Sequence, residues 1–265
     1  METRATRVAL RIWVALVLAF LFIPIIIICL YAFNPSNIQS WPITSLSLKW
    51  FPLTWRNPEV RSSLLLSIKA GLAATAMALL LGSAAAFAVH RFRFFGREVV
   101  SFVVVLPLAL PGIITGMALN AFFAFNGLSL SLWTIVVGHA TFCIVIVYNN
   151  LLARLRRTAP SLVEASMDLG ASGWQTFRHV TFPMISTALV SGALLAFALS
   201  FDEVIVTTFT AGAQNTLPLW IFGAIRLGQQ LPEVNVVVLV VLALTVIPVV
   251  IAQRLTHETG LLRRG

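Results

Sequence analysis

The sequence has little charge and almost no lysine. Of its 265 residues only 10% are charged, 59% are hydrophobic, and the mean hydropathy is +0.95. A soluble domain carries about 25% charged residues, so the composition excludes a large soluble domain and predicts an all-α membrane protein. The net charge of +9 does not predict a nucleic-acid partner, because the cations lie at the ends of apolar segments and not along one stripe.

The sequence also lacks the motifs of common catalytic sites. Both lysines, Lys49 and Lys69, lie outside any Gly-Lys-Ser/Thr phosphate-binding loop, and the four histidines form no His-Glu-x-x-His run. No Gly-x-Ser-x-Gly is present either. We therefore expect no catalytic site, metal or cofactor in this chain. Cys29 and Cys143 lie in apolar runs without disulfide-like spacing, which predicts buried free thiols.

Six apolar segments are long enough to span a bilayer, which needs about 20 residues. We expect them to form a single transmembrane domain over residues 1–265, and the first to be a retained helix because no small-residue cleavage site follows it. The predicted spans are 12–33, 63–89, 99–125, 130–152, 185–210 and 234–252.

The distribution of Lys and Arg between the loops predicts the orientation. One side holds Arg4, Arg7, Arg11, Arg91, Arg93, Arg97, Arg154, Arg156, Arg157, Arg178, Arg254, Arg263 and Arg264. The other side holds only Lys49, Arg56, Arg61 and Arg226. Both termini and the loop 153–184 are therefore predicted to be cytoplasmic.

The loop 153–184 carries its own helix signals. Residues 161–164 (Ser-Leu-Val-Glu) and 172–175 (Ser-Gly-Trp-Gln) both have the capping-box pattern. Gly170 tolerates the left-handed conformation that commonly ends a helix, and Pro183 should stop the second helix. The loop is predicted to form two short helices separated at Gly170 and Ala171.

The first short helix has an acidic face. Glu164 and Asp168 are four residues apart, where like charges destabilise a helix, and Asp168 lies in the last turn. Such a face favours opposing cations, supplied by another protein or by Arg154, Arg156, Arg157 and Arg178. The alternative is a solvated loop helix.

The pattern Glu164-Ala165-Ser166, then Gly170, then Phe182-Pro183 resembles the cytoplasmic EAA loop of ABC-importer permease subunits, with Ser166 in place of the second Ala. In that family the short helix is the coupling helix, which docks on the ATPase subunit. The resemblance implies that the residues contacting the ATPase are Glu164, Ala165, Ser166, Asp168, Leu169 and Gly170.

The third predicted span contains Pro107, Pro111, Gly112 and Gly116. Prolines bend a helix and Gly-x-x-x-Gly allows another helix to approach, which suits a protein that changes shape around a path. The alternative is that the kink has no role in function. Asn120 in the same span needs a polar partner or a wet face.

The fifth predicted span ends with two adjacent carboxylates, Asp202 and Glu203, which need water, cations or a cavity within an apolar run. They either lie at the interface and pair with Arg226 or Lys69, or line a transport path for a cationic or amine-bearing solute. Together with Asn120, the candidate path residues are Phe201, Asp202, Glu203 and Thr207.

A second resemblance narrows the family. The stretch 200–206, then Leu217-Pro218-Leu219 and Pro232-Glu233-Val234-Asn235, is similar to the second permease of spermidine/putrescine ABC importers. It implies a type I importer fold in a bacterial inner membrane. The implied partners are membrane lipid, a second permease, an extracytoplasmic binding protein, and an ATPase dimer that holds ATP and Mg.

One difference from the polyamine permease pattern leaves two substrate classes to consider. Such permeases usually have an acidic residue after the proline where this chain has Pro111-Gly112. The expectation is a polyamine, and the alternative is an aminophosphonate or amino-acid-like solute. A stand-alone secondary carrier is less favoured because no internal repeat is visible.

Overall fold

The computed structural model describes residues 4–245, which contain helices and no strand. The all-α prediction is confirmed for this part of the chain. In order, the helices are α1 (Arg4–Tyr31), α2 (Trp50–Arg56), α3 (Pro58–Arg91), α4 (Arg97–Ala109), α5 (Gly112–Phe125), α6 (Leu132–Arg157), α7 (Pro160–Asp168), α8 (Gly173–Thr176), α9 (Phe182–Phe201), α10 (Ile205–Thr210), α11 (Leu217–Leu227) and α12 (Leu231–Thr245).

Four of the described helical segments are long and apolar enough to cross a membrane. They are Thr6–Tyr31, Pro58–Arg91, Leu132–Arg157 and Gly173–Phe201. The sixth predicted span, 234–252, lies partly in α12 and partly outside the described residues. Arg254, Arg263 and Arg264 lie outside the described residues. The number of six spans and the cytoplasmic location of both termini therefore stay predictions.

The third predicted span is two helices and not one bent helix. α4 and α5 meet at 106°, with Leu110 and Pro111 between them. Leu110 is extended (φ −87°, ψ 140°), because the ring of a following proline disfavours the helical conformation. A bend of this size is typical of a broken span, which would make the pair α4–α5 a fifth crossing, or of a re-entrant loop.

The prediction of one helix over 185–210 was wrong at both ends. The helix begins at Gly173, continues through α8 and a π-helical turn (Phe177–Thr181) into α9, and ends at Phe201. Pro183 does not stop it, because the π-helical turn before the proline re-pairs the backbone, with the amide of Phe182 bonded to the carbonyl of Phe177. The chain then leaves the helix before α10.

The described residues group into two compact units, and the prediction of a single domain stays a prediction. Among the described residues, the first unit comprises 4–61 and 221–245. Within it, Asn57 Nδ2 donates a hydrogen bond to Glu233 Oε2 (2.6 Å), and Asn57 Oδ1 accepts from the Glu59 amide at the start of α3 (2.9 Å). Glu233 of the Pro-Glu-Val-Asn motif thus supports the beginning of α3.

The second unit, residues 62–220, is built around α6. This helix carries most of the large fully buried side chains of the unit, including Ile135, Tyr148 and Leu151, and its main partner is α9. Cys143 is a buried free thiol whose Sγ lies 3.3 Å from the Ala196 carbonyl oxygen of α9. The other cysteine, Cys29, is also free but only half-buried.

Candidate functional site

α7, within the predicted cytoplasmic loop, begins earlier than its sequence pattern predicted. Pro160 occupies the first helical position and Ala159 is the extended cap residue (φ −67°, ψ 122°), so Ser161 lies inside the helix. The predicted capping box over residues 161–164 was therefore wrong. A proline at the first position is preorganised for a helix and keeps the preceding residue extended, which decides the boundary.

The end of α7 matches the prediction. The Gly170 amide bonds to the Met167 carbonyl (2.9 Å) and the Ala171 amide to the Ser166 carbonyl (3.2 Å), the pattern of a Schellman motif. Gly170 has φ +84°, a conformation that side-chain-bearing residues rarely adopt. The left-handed end predicted at Gly170 is confirmed.

The second predicted capping box is also confirmed. The Ser172 amide donates to Gln175 Oε1 (2.8 Å), and the Gln175 amide donates to Ser172 Oγ (3.3 Å). α7 and α8 are thus two helices with a tight joint between them, and α8 leads without interruption into α9. A displacement of α7 would therefore move α8, which continues directly into the long apolar helix α9.

α7 presents an acidic and apolar surface. Glu164, Ala165, Asp168, Leu169 and Gly170 are exposed, and Leu169 is 89% exposed. No described cation forms an ion pair with Glu164 or Asp168. The predicted partner Arg154 instead donates from Nε to the Met184 carbonyl (2.7 Å).

Ser166 differs from the other predicted coupling residues because it faces inward. Its Oγ lies 3.1 Å from Thr176 Oγ1 of α8. The serine therefore ties the two helices together, a role that alanine at this position could not fill. Nearby, a cavity of about 600 Å³ separates α7 from the ends of α3 and α6; Phe87, Arg91, Leu155 and Glu164 are among the residues that line it.

The predicted path residues gather around the break between α9 and α10. Asp202 follows the last residue of α9 and is exposed, whereas Glu203 is half-buried and its Oε1 accepts from the Val206 amide (2.8 Å). Glu203 thus caps the start of α10, and the carboxylate of Asp202 has no described partner. The sequence pattern did not distinguish the two carboxylates. In the structure Glu203 caps α10, whereas Asp202 is exposed. Neither forms an ion pair with Lys69 among residues 62–220.

Thr207 and Asn120 hold α10 in place. Thr207 is fully buried and its hydroxyl donates to the Glu203 carbonyl (2.7 Å). Asn120 of α5 donates from Nδ2 to the Phe209 carbonyl (2.7 Å), which supplies the polar partner that its sequence position predicted. At the same end, Thr134 of α6 donates to the Thr210 carbonyl (2.7 Å). Phe201, the last residue of α9, is half-buried. A solute-contacting role for these residues stays a prediction.

His139, which is not among the residues predicted from the sequence, is buried in α6 between Ser200 and Thr207. The absence of a His-Glu-x-x-His run excludes a metal-binding motif but does not show whether a histidine has a structural role. A titratable residue inside an apolar span was the available signal, since such residues are rare in membranes and usually have a specific partner.

Comparison with known proteins identifies the family. Residues 78–257, more than half of the chain, match the family described as "Binding-protein-dependent transport system inner membrane component". The chain belongs to this family. It is a multi-pass permease subunit of the bacterial inner membrane and not an enzyme.

Individual relatives agree with this assignment. The permease is 33% identical over 246 residues to the spermidine/putrescine transport system permease protein PotC of Haemophilus influenzae, covering 92% of this chain and 95% of that protein. It is 34% identical over 232 residues to the putrescine transport system permease protein PotI of Escherichia coli, with 84% and 82% covered. The resemblance inferred from the loop and the 200–235 motifs is confirmed.

A solved structure shows the fold. The permease matches a chain of a bacterial ABC transporter involved in the import of the acidic polysaccharide alginate, with a TM-score of 0.68 over 97% of this chain and 98% of that chain. The sequences are only 17% identical, so the likeness concerns the fold alone. The predicted ABC-importer permease fold is confirmed at this level.

Proposed function

We propose that this permease forms part of the solute path of an ATP-driven importer and couples to a separate ATPase subunit through α7. The observation that carries the coupling role is the exposed surface of Glu164, Asp168 and Leu169, which has no described partner within the chain. An exposed leucine beside two unpaired carboxylates is suited to a partner with an apolar pocket and a basic rim.

We propose three further partners, which family membership supports. A second permease completes the path, an extracytoplasmic binding protein delivers the solute, and the ATPase dimer holds ATP and Mg. This division of labour accords with the lack of a phosphate-binding loop in this chain.

Charge reversal tests the coupling role in the complete importer reconstituted in lipid vesicles. Glu164→Lys is expected to lower ATP-dependent uptake at least about tenfold and to weaken co-purification of the ATPase, because breaking a charge pair that is buried in an interface costs about 2 kcal/mol or more. Glu98→Lys, an exposed charge reversal in the first turn of α4, is the matched control and should transport normally. Wild-type uptake by Glu164→Lys would remove α7 from the coupling role.

We further propose a polyamine as the solute. The relatives named for spermidine and putrescine support it, and so does the exposed carboxylate of Asp202 at a helix break. An ammonium group on the solute would supply the opposite charge that Asp202 lacks among the described residues. The alternative is another amine-bearing or zwitterionic solute, which Gly112 favours because the usual acidic residue is missing there.

The two carboxylates can be tested separately. A charged hydrogen bond contributes about 1.5–3 kcal/mol, so Asp202→Asn should raise the half-saturating spermidine concentration about ten- to a hundredfold. Glu203→Gln should have a smaller effect, because a glutamine oxygen can still accept from the Val206 amide. A larger effect of Glu203→Gln than of Asp202→Asn would reverse the assignment.

A further inference from the structure

One imidazole spans the break between α9 and α10. His139 Nδ1 lies 2.7 Å from Ser200 Oγ, in the last turn of α9, and His139 Nε2 lies 2.8 Å from Thr207 Oγ1, in the first turn of α10. All three side chains are at most 3% exposed. A side chain of α6 is therefore bonded to both sides of the segment Asp202–Val204.

The hydrogen-bond directions around His139 can be assigned. The Thr207 hydroxyl donates to the Glu203 carbonyl at 2.7 Å, so its oxygen must accept from His139, which places the proton on Nε2. The lone pair of Nδ1 then accepts from the Ser200 hydroxyl. A neutral imidazole satisfies every buried polar atom of this group, as expected for a polar residue in an apolar span.

The far end of α10 is fixed without His139. Asn120 and Thr134 bond to the carbonyls of Phe209 and Thr210, and Gly138 allows Val206 and Thr210 to pack directly on α6. α10 is thus docked on α5 and α6 through its own contacts. His139 adds a connection between the end of α9 and the start of α10, across the three-residue link.

We propose that His139 is a positioning residue that holds the link Asp202–Val204 in place and thereby presents the Asp202 carboxylate to the solute. The effect on transport rests on the proposed role of Asp202, whereas the effect on the link does not. His139 acts through Ser200 and Thr207 and does not itself contact the solute.

The position of the link can be measured without transport. Val204→Cys, introduced into the complete importer carrying Cys29→Ser, reports access to the half-buried last residue of the link through its rate of reaction with a soluble maleimide. The same protein without Val204→Cys measures any reaction of the buried Cys143.

Three substitutions are compared in this background. His139→Leu should raise the labelling rate at least fivefold, and His139→Gln should raise it less because its amide keeps one donor and one acceptor. Tyr148→Phe is the matched control: it removes another interhelical hydrogen bond of α6, from the Tyr148 hydroxyl to Ser101 Oγ (2.9 Å), far from the break. An unchanged rate in His139→Leu, or an equal rise in Tyr148→Phe, overturns the proposal.

Spermidine uptake then separates the two proposals. His139→Leu should raise the half-saturating concentration at least tenfold, and the double variant with Asp202→Asn should be no worse than Asp202→Asn alone. If Asp202→Asn lowers the affinity and His139→Leu does not, the positioning role is wrong. If labelling increases but Asp202→Asn leaves uptake unchanged, the role of Asp202 fails and the control of the link by His139 stands.

A variant that does not assemble is replaced by milder ones. Ser200→Ala and Thr207→Val each remove one of the two bonds to His139. Each should raise the labelling rate, and the pair together should reach the effect expected for His139→Leu. Wild-type labelling in both single variants and in the pair overturns the proposal.

Discussion

At the scale of single residues, small side chains decide how closely the helices of the second unit pack. A Cβ atom added at Gly116 of α5 would lie 2.6 Å from Phe209 Cδ2 and 3.3 Å from Phe209 Cβ. Gly112 is less crowded, with Ile205 Cγ2 at 3.6 Å from such an atom. The Gly-x-x-x-Gly prediction of a close helix approach is therefore confirmed, chiefly by Gly116.

Gly116→Ala is expected to destabilise the permease by about 1–3 kcal/mol, the usual range for an added methyl group in a packed interior. Thermal unfolding of the purified importer in detergent measures the change. Gly223→Ala is the matched control, because nothing lies within 4 Å of its added Cβ and alanine favours a helix. Equal unfolding temperatures for both variants would contradict this prediction and would show that α10 shifts to accommodate the added methyl group.

At the scale of elements, the prolines have different effects that depend on their surroundings. Pro160 starts α7, Pro111 separates α4 from α5, and Pro107 and Pro183 lie within helical segments. A proline removes one backbone donor, and the local structure decides whether the chain breaks or re-pairs. The sequence predicted a bend within one span where the chain breaks at Pro111, and it wrongly predicted the end of a helix at Pro183.

The break at Pro111 and the break after Phe201 lie side by side, because Gly112 faces Ile205. Gly112→Asp would therefore add a carboxylate near the segment that carries Asp202. If the solute is a polyamine, the half-saturating spermidine concentration should fall about three- to tenfold, because an added carboxylate attracts a polycation. Concentration-dependent uptake of radiolabelled spermidine measures the change.

Gly112→Asn, equal in size and uncharged, is the control for Gly112→Asp. It should not improve spermidine uptake. If the aspartate variant binds spermidine no better than the asparagine variant, while uptake of a zwitterionic amine changes, the alternative solute class is favoured.

At the scale of the whole molecule, charge asymmetry predicts the orientation. The cation-rich loops include the α3–α4 turn and the segment of α7, and the α5–α6 turn is predicted to lie on the opposite side. The proposed coupling role requires α7 to be cytoplasmic, since the ATPase needs cytosolic ATP.

Cysteine labelling in intact spheroplasts tests the orientation. With Cys29→Ser as background, Leu128→Cys in the α5–α6 turn should react with a membrane-impermeant maleimide. Ser161→Cys on α7 should react only after permeabilisation. The reverse pattern would place Glu164 outside and exclude the coupling role of α7.

The sequence by itself determined the features that depend on composition and on a few consecutive residues. Hydropathy and capping depend on local sequence. The sequence therefore predicted the all-α class, most of the apolar segments, the left-handed helix end at Gly170 and the capping box at Ser172. The family resemblance was also readable from the spacing of Glu164 and Gly170.

Only the tertiary structure decided where apolar runs break and what each polar group inside them does. Hydropathy is the same on both sides of Asp202, so it could not show that α9 ends there. The bonds from His139 to Ser200 and Thr207 join residues 61 and 68 positions apart in sequence. Such pairings depend on how the helices pack, because in an apolar interior a polar side chain must find whichever partner the fold brings to it.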